Sequence, residues 1–240
     1  RLVNGENVAI GNAGTFTTSA ADARTVLPNG NFEEWCERSA GTALGNKQTT
    51  FPCTETDYDS GDRFWDTSNR GANSAGQKDP TNKTTELVKS GTYAAKLGSI
   101  SILGKMAAAS LYIGDFGTAK ISGSATINFG KSFTSRPISL KGYYKYSPVK
   151  MTVVDRMPEG VTLVEGETMD ECAIYIALTT DVIRVDNADE NSLFNPNDDA
   201  VIAYGELPSG AATSGEDYIP FEIPLRYKEG KFDVQPTHIV

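Results

Sequence analysis

Carboxylates and aromatic rings are the groups in this 240-residue chain whose types and spacing could do chemistry. Glu33 and Glu34, Asp57 and Asp59, Asp62 and Asp66, and Asp170 and Glu171 stand close together in sequence. Two carboxyl groups about 5–9 Å apart can cleave a glycosidic bond, one as acid and the other as base or nucleophile. Carboxylates and backbone carbonyls together can instead hold a hard cation such as calcium, which takes about six to eight oxygens. Asn29-Gly-Asn-Phe-Glu33 and Lys89-Ser-Gly-Thr-Tyr93 offer such a set, which makes Glu33 the candidate ligand of a structural calcium. The run from Asp186-Asn-Ala-Asp-Glu190 to Asp198-Asp199 is also acidic. It lacks the spacing and central glycine of an EF-hand loop and reads as a solvated loop.

The second kind of chemistry is sugar recognition. Trp65 sits in Gly61-Asp-Arg-Phe-Trp-Asp-Thr-Ser-Asn69, a polar segment read as a loop. An apolar plate flanked by Asp62 and Asp66 matches the amphipathic faces of a sugar, and makes Trp65, Asp62 and Asp66 candidate glycan-binding residues. The alternative is a Trp65 packed inward to anchor the loop. Trp35 follows an apparent strand start and reads as core.

Other chemistries have little material. His238 is the only histidine, so a Ser-His-Asp or Cys-His engine would have to run through it. Zinc sites recruit several His or Cys ligands, and the chain has one His and three Cys. Cys36, Cys53 and Cys172 are too few for a disulfide scaffold, and a Cys36–Cys53 bridge and three free thiols stay equally open. No glycine loop of a phosphate-binding type is present. The net charge of −9, without a compensating basic cluster, disfavours nucleic acid and anionic membranes. No apolar run reaches the ~18 residues of a membrane span. The chain begins at Arg1, as a trimmed or mature form would, with any signal peptide or lipid anchor outside it.

The elements that must position these residues read as strands. In Phe133–Pro148, Ile138, Leu140, Gly142, Tyr144 and Tyr146 fall on one face, with Ser139, Lys141, Tyr143 and Lys145 on the other. If Tyr144 and Tyr146 face the core, Tyr143 faces outward, as a candidate glycan platform. Cys172, Ile174, Ile176 and Leu178 alternate in the same way, as do Ile219, Phe221, Ile223, Leu225 and Tyr227. Pro220 and Pro224 share the opposite register of the latter segment and leave one side of it short of N–H donors, which marks a sheet edge. Short strand-like runs lie at Ser90–Leu97, Ala109–Ile113 and Ala125–Phe129. Residues 37–85, rich in Gly, Thr, Asn and Asp, read as a long loop region, and residues 1–27 as an extended leader or the tail of an upstream domain. No segment keeps a long 3.6-residue period. The expected fold is all-β, a two-sheet antiparallel sandwich of roughly eight or more strands over residues 28–240.

From about Leu27 onward the chain resembles the putative carbohydrate metabolism domain family of glycan-degrading, Gram-negative gut bacteria. The resemblance rests on Asn29-Gly-Asn-Phe-Glu-Glu-Trp35, Phe64-Trp-Asp-Thr-Ser-Asn69 and Lys89-Ser-Gly-Thr-Tyr-Ala-Ala-Lys-Leu97. It is strongest at Ile127-Asn-Phe-Gly-Lys-Ser-Phe-Thr-Ser-Arg-Pro137 and Leu140-Lys-Gly-Tyr-Tyr-Lys-Tyr-Ser-Pro148, and continues through Asp170-Glu-Cys-Ala-Ile-Tyr175 and Phe221-Glu-Ile-Pro224. It implies a jelly-roll sandwich similar to carbohydrate-binding modules. Members are often labelled putative glycoside hydrolases, without agreed catalytic residues, so the resemblance assigns none here. Members usually close with an Asp-rich strand that is absent up to Val240, and in related binding modules such a strand helps hold a structural calcium.

The leading expectation is therefore a secreted or surface-attached domain that binds a poly- or oligosaccharide without a cofactor, in the periplasm or at the cell surface. A glycoside hydrolase using two carboxylates is the runner-up, and a structural or adhesive surface domain the third reading.

Overall fold

In the computed structural model, residues 2–4, 7–9, 26–42, 44–74, 76, 78–102, 104–120, 123–154, 160–208, 212–213 and 217–240 are described. Most of the expected 1–27 leader lies outside them. The strands are β1 (Leu2–Asn4), β2 (Asn7–Ala9), β3 (Cys36–Thr42), β4 (Gly45–Phe51), β5 (Trp65–Thr67), β6 (Thr81–Thr84), β7 (Ala94–Leu97), β8 (Ile100–Ile102), β9 (Lys105–Ala107) and β10 (Leu111–Ala119). They continue with β11 (Ala125–Phe129), β12 (Lys131–Ser132), β13 (Ser139–Tyr144), β14 (Tyr175–Thr179), β15 (Ile183–Asp186), β16 (Val201–Glu206), β17 (Ile219–Pro224), β18 (Arg226–Tyr227) and β19 (His238–Ile239). Two short helices, α1 (Glu55–Ser60) and α2 (Asn69–Asn73), and a 3₁₀ turn at Glu190–Ser192 complete the described elements. Among the described residues the protein is mostly β, with antiparallel sheets and no closed barrel. Among the described residues, no helix is long and apolar enough to cross a membrane.

Two larger sheets carry the core. One has the order β15-β11-β10-β5, the other β12-β19-β14-β16-β18, and β13 pairs with β17 beside them. The main hydrophobic cluster joins Ile113 of β10 to Ile176 and Leu178 of β14, Ile202 and Ala203 of β16, Ile223 of β17, Leu225 and Ile239. Burying each such large aliphatic side chain contributes about 1.5–3 kcal/mol. The alternating positions Ile176, Leu178, Ile223 and Leu225 are buried as expected, and Ile174 and Phe221 pack partly buried against them. Ile219 is half-buried at the start of β17. Leu27 also packs against this cluster.

Burial on β14 goes beyond the expected single face. Ala177 on its other side is buried with Val201 and Val240, beneath Phe129, Tyr175, Ile183, Phe194 and Tyr204. β17 pairs only with β13 among the described residues, and Pro220 and Pro224 stand opposite Tyr143 and Ser139. Their missing N–H groups therefore fall on the unpaired side of the strand. Ile138 departs from the expected alternation. It precedes β13 and is 82% exposed, while its carbonyl accepts from the Leu225 N–H at 2.9 Å. The inward-facing row begins instead at Leu140, which packs against the core.

Residues 37–85 are not a long loop. They hold the β3–β4 hairpin, both helices, β5 and β6. The hairpin has its own small core of Cys36, Ala40, Phe51 and Cys53, with Tyr58 of α1 packed against it. α1 starts where the Thr54 side chain accepts from the Asp57 N–H at 3.1 Å, an N-cap that satisfies one free donor of the first turn. α2 is held by side-chain amides four residues apart on one face. Asn69 bonds Thr50 O at 2.9 Å and Thr81 O at 2.7 Å, and Asn73 bonds Thr49 Oγ1 at 2.9 Å and Asp79 Oδ1 at 2.6 Å.

Candidate functional site

Trp65 is the first residue of β5, not part of a loop. It stands opposite Ile113 of β10 and faces the main core with it. Phe32 meets its indole edge-on at 5.2 Å and Phe64 at 5.7 Å between ring centroids. Its Nε1 donates to Pro28 O at 2.7 Å. The indole is thus packed and its only donor is satisfied, which is the anchoring arrangement. Trp35 is half-buried, with Nε1 donating to Phe32 O at 2.6 Å.

Asp66 points to the other side of β5, opposite Tyr112, and is 0% exposed. Oδ1 accepts from the Thr67 N–H at 2.8 Å and Oδ2 from the Phe116 N–H at 2.9 Å. Arg63 and Arg70 approach Oδ2 at 3.7 and 3.9 Å. Burial pushes its carboxyl up, against the opposing pull of the Phe116 N–H, the two guanidiniums and the Thr67 N–H. The guanidiniums lie over aromatic rings, Arg63 at 4.9 Å from the Tyr58 centroid and Arg70 at 5.0 Å from that of Phe116. The structure thus places the Asp66 oxygens in an enclosed position where both are already hydrogen-bonded. Asp62 is exposed just beyond α1, its N–H donating to Ser60 Oγ at 3.4 Å.

Glu33 does meet the Lys89–Tyr93 segment, but through N–H donors and not carbonyls. Its carboxylate accepts from Thr92 N at 3.0 and 3.1 Å and from Tyr93 N at 3.2 Å. Gly91, at φ 77°, lets the carboxylate sit against the backbone where any Cβ would collide with it. Amide dipoles aimed at a carboxylate suit an anion, and calcium would need several further oxygens. Among the described residues, no group of three or more His, Cys, Asp or Glu side chains converges for a metal. The residues around Glu33 therefore do not fit calcium. The acidic 186–199 run folds on itself, with Asp189 capping the 3₁₀ turn, and its far end is tied down by Lys228 to Asp198 O and Lys231 to Asp199 Oδ1, both at 2.6 Å.

Tyr143 faces outward, 55% exposed. It lies in a different sheet from Trp65 and Asp66. Its side of the β13–β17 pair carries Ser139, Lys141 and Tyr143 opposite Pro224, Glu222 and Pro220. Strand alternation sends the intervening residues inward: Gly142 lies under the Phe221 ring, and Tyr144 meets the same ring at 6.0 Å. Lys89 Nζ lies 4.8 Å from the centre of the Tyr143 ring. Lys141 pairs with Glu222 at 3.2 Å, and the Ser139 hydroxyl together with Lys141 holds that carboxyl below the usual range. The Tyr218 hydroxyl donates to Leu87 O at 2.8 Å and fixes the neighbouring 85–93 segment against this edge. An exposed ring, a proline opposite it and ionic groups on either side form a shallow amphipathic strip.

Two further features carry little signal in the sequence. A polar groove of about 400 Å³ is lined by Glu37, Lys47, Gln48, Asn73, Lys78 and Asp79 among others. Asp79 is held there by the Thr50 N–H at 2.7 Å and by Asn73. Tyr175, Phe194 and Tyr204 form an aromatic cluster on the outer side of β14 and β16, and Tyr204 donates to Glu206 at 2.7 Å. Tyr175 could have been noticed as the odd member of the Cys172–Leu178 alternation. Phe194 lies in an acidic loop and carries no periodic signal. His238 sits on β19 with Nδ1 2.7 Å from the Thr237 hydroxyl.

A family model described as putative carbohydrate metabolism domain matches residues 31–238. No curated protein matches the chain. Among solved structures, a protein of Bacteroides thetaiotaomicron described as a putative glycoside hydrolase is similar, at 21% identity and a TM-score of 0.51, over 73% of this chain and 54% of that one. This chain thus spans about half the length of that protein. A protein of Bacteroides vulgatus with the same description is similar at 20% identity and a TM-score of 0.53, over 87% of this chain and 85% of that one. At such identities the likeness is one of fold.

Proposed function

Because the chain belongs to the putative carbohydrate metabolism domain family, we propose that it is a glycan-binding domain that holds an oligosaccharide non-covalently on the outer face of β13 and β17. Residues 28–240 form one such domain in this reading, a jelly-roll sandwich acting outside the cytoplasm. What supports a sandwich is the core shared by Ile113 of one larger sheet with Ile176 and Leu178 of the other.

The observation that carries the binding reading is the exposed Tyr143 between Lys89 and the Lys141–Glu222 pair. A pyranose presents an apolar C–H face and a rim of hydroxyls. The Tyr143 ring and Pro220 supply the apolar contact, and Lys141, Glu222 and Ser139 supply donors and acceptors for the rim. An exposed cation–π contact contributes about 0.5–1 kcal/mol, little enough for a sugar ring to displace Lys89 and leave its ammonium to bond a hydroxyl. Trp65 and Asp66 serve this site at a distance, by holding the scaffold. Asp62 remains as an exposed carboxylate.

The runner-up, glycoside hydrolysis, is favoured by one observation: Glu37 and Asp79 both line the polar groove. A glycan array with the purified domain, followed by product analysis on every glycan retained, separates the readings. Retention without cleavage is expected. Released sugars, lost on substitution of Glu37 or Asp79, would replace binding by catalysis.

A further inference from the structure

The β3–β4 hairpin brings two thiols together that no step of glycan binding uses. Cys36 opens β3 opposite Phe51, the last residue of β4. Two residues further on, past Pro52, the chain bends and returns Cys53 to the same side. The two sulfurs lie 3.7 Å apart, in a small core closed by Ala40, Phe51 and Tyr58. Both residues are buried, and they are 17 positions apart in sequence. Cys172 belongs to neither this hairpin nor its core.

We propose that Cys36 and Cys53 form a disulfide as the chain folds in the presence of a disulfide oxidant, and that this bond staples the hairpin carrying the polar groove. The oxidant is a thiol–disulfide compound, either a small-molecule disulfide or a protein of the dithiol–disulfide class. One cysteine thiolate attacks the oxidant's disulfide, forms a mixed disulfide and expels one thiol. The second cysteine attacks the protein sulfur of that mixed disulfide, closes the Cys36–Cys53 bond and expels the other thiol. The two cysteines lose two electrons and two protons, and the oxidant leaves as two thiols.

The timing follows from burial. Desolvation pushes both thiols up from their ordinary values once the hairpin has closed, so few thiolates are available in the folded protein. Oxidation belongs to folding or to opening of the hairpin. The bond stabilises chiefly by restricting the unfolded chain, which is left with a short closed loop.

The full chain, refolded from denaturant with a mixture of reduced and oxidised glutathione, tests this against a sample refolded with a strong reductant. The expected product has an intact mass lower by about 2 Da, one titratable thiol, and a non-reduced digest joining the Cys36 and Cys53 peptides. Its Tm is expected to exceed that of the reduced sample by roughly 5–10 °C. Three titratable thiols, or a peptide joining Cys172 to either partner, would overturn the assignment. The correct linked peptide with an unchanged Tm would overturn the staple.

Discussion

The indole Nε1 of Trp65 donates to the carbonyl of Pro28 across 2.7 Å, joining β5 to the turn that Asn29 organises. Asn29 bonds Glu34 on both sides, through Nδ2 to its carbonyl at 2.9 Å and through Oδ1 from its N–H at 3.0 Å, and also reaches Pro52 O at 3.0 Å. Two of the family-like motifs therefore meet in one structural joint. Replacing Trp65 with Ala removes packing against the main core and the bond to Pro28. The expected cost is about 3 kcal/mol or more in urea unfolding, with glycan affinity per folded molecule unchanged. A stable variant that no longer binds glycan would return Trp65 to the binding surface.

Asp66→Asn tests the buried carboxylate. Both oxygens accept from backbone N–H groups, so the new amide must aim its NH₂ at Thr67 N or Phe116 N. It also leaves Arg63 and Arg70 without their shared counter-charge. Breaking a buried pair in this way costs about 3–5 kcal/mol, and chemical denaturation should show a loss in that range. A change below about 0.5 kcal/mol, the level of an ordinary surface substitution, would contradict the arrangement.

Gly142→Ala tests the β13–β17 register. A Cβ there would come within 2.6 Å of Phe221 Cζ and 2.7 Å of its Cε1, on the far end of a ring held by the core. Overpacking of this kind costs about 1–3 kcal/mol. Combining it with Phe221→Leu should recover part of that loss relative to the sum of the two single changes, as coupled neighbours do. Strict additivity would mean that the two residues do not meet.

Glu33→Ala should free the 89–93 segment. Loss of the acceptor for Thr92 N and Tyr93 N is expected to cost about 1–3 kcal/mol and to raise amide exchange at those two residues first. Calcium or a chelator should leave the wild-type Tm unchanged, because the carboxylate is aimed at N–H donors. A Tm that rises with calcium and loses that response in Glu33→Ala would reinstate the metal.

Sequence patterning carried the strands whose large apolar residues recur at every second position, as in β14 and β17. It could not carry the β3–β4 hairpin, whose buried positions are Cys36, Ala40, Thr49, Thr50 and Phe51, because small and polar side chains give no apolar period. Trp65 reads as a loop residue in sequence because its strand is only three residues long and sits among Asp, Arg and Asn. The burial of Asp66 had no sequence signal at all: Arg63, Arg70 and the Phe116 N–H converge on it from other parts of the chain, while the Thr67 N–H of its own strand takes the remaining oxygen. Tyr143 was the reverse case. Once Leu140 and Tyr144 face inward, alternation alone turns it to solvent.

Titration of a glycan selected on the array into wild-type protein and Tyr143→Ala, with the Tm of both recorded, tests the central claim most directly. Binding through the exposed ring predicts at least a tenfold weaker Kd, a loss of about 1.4 kcal/mol or more, with Tm nearly unchanged because Tyr143 packs little. Equal affinity in the two proteins would contradict it and move the glycan site off β13.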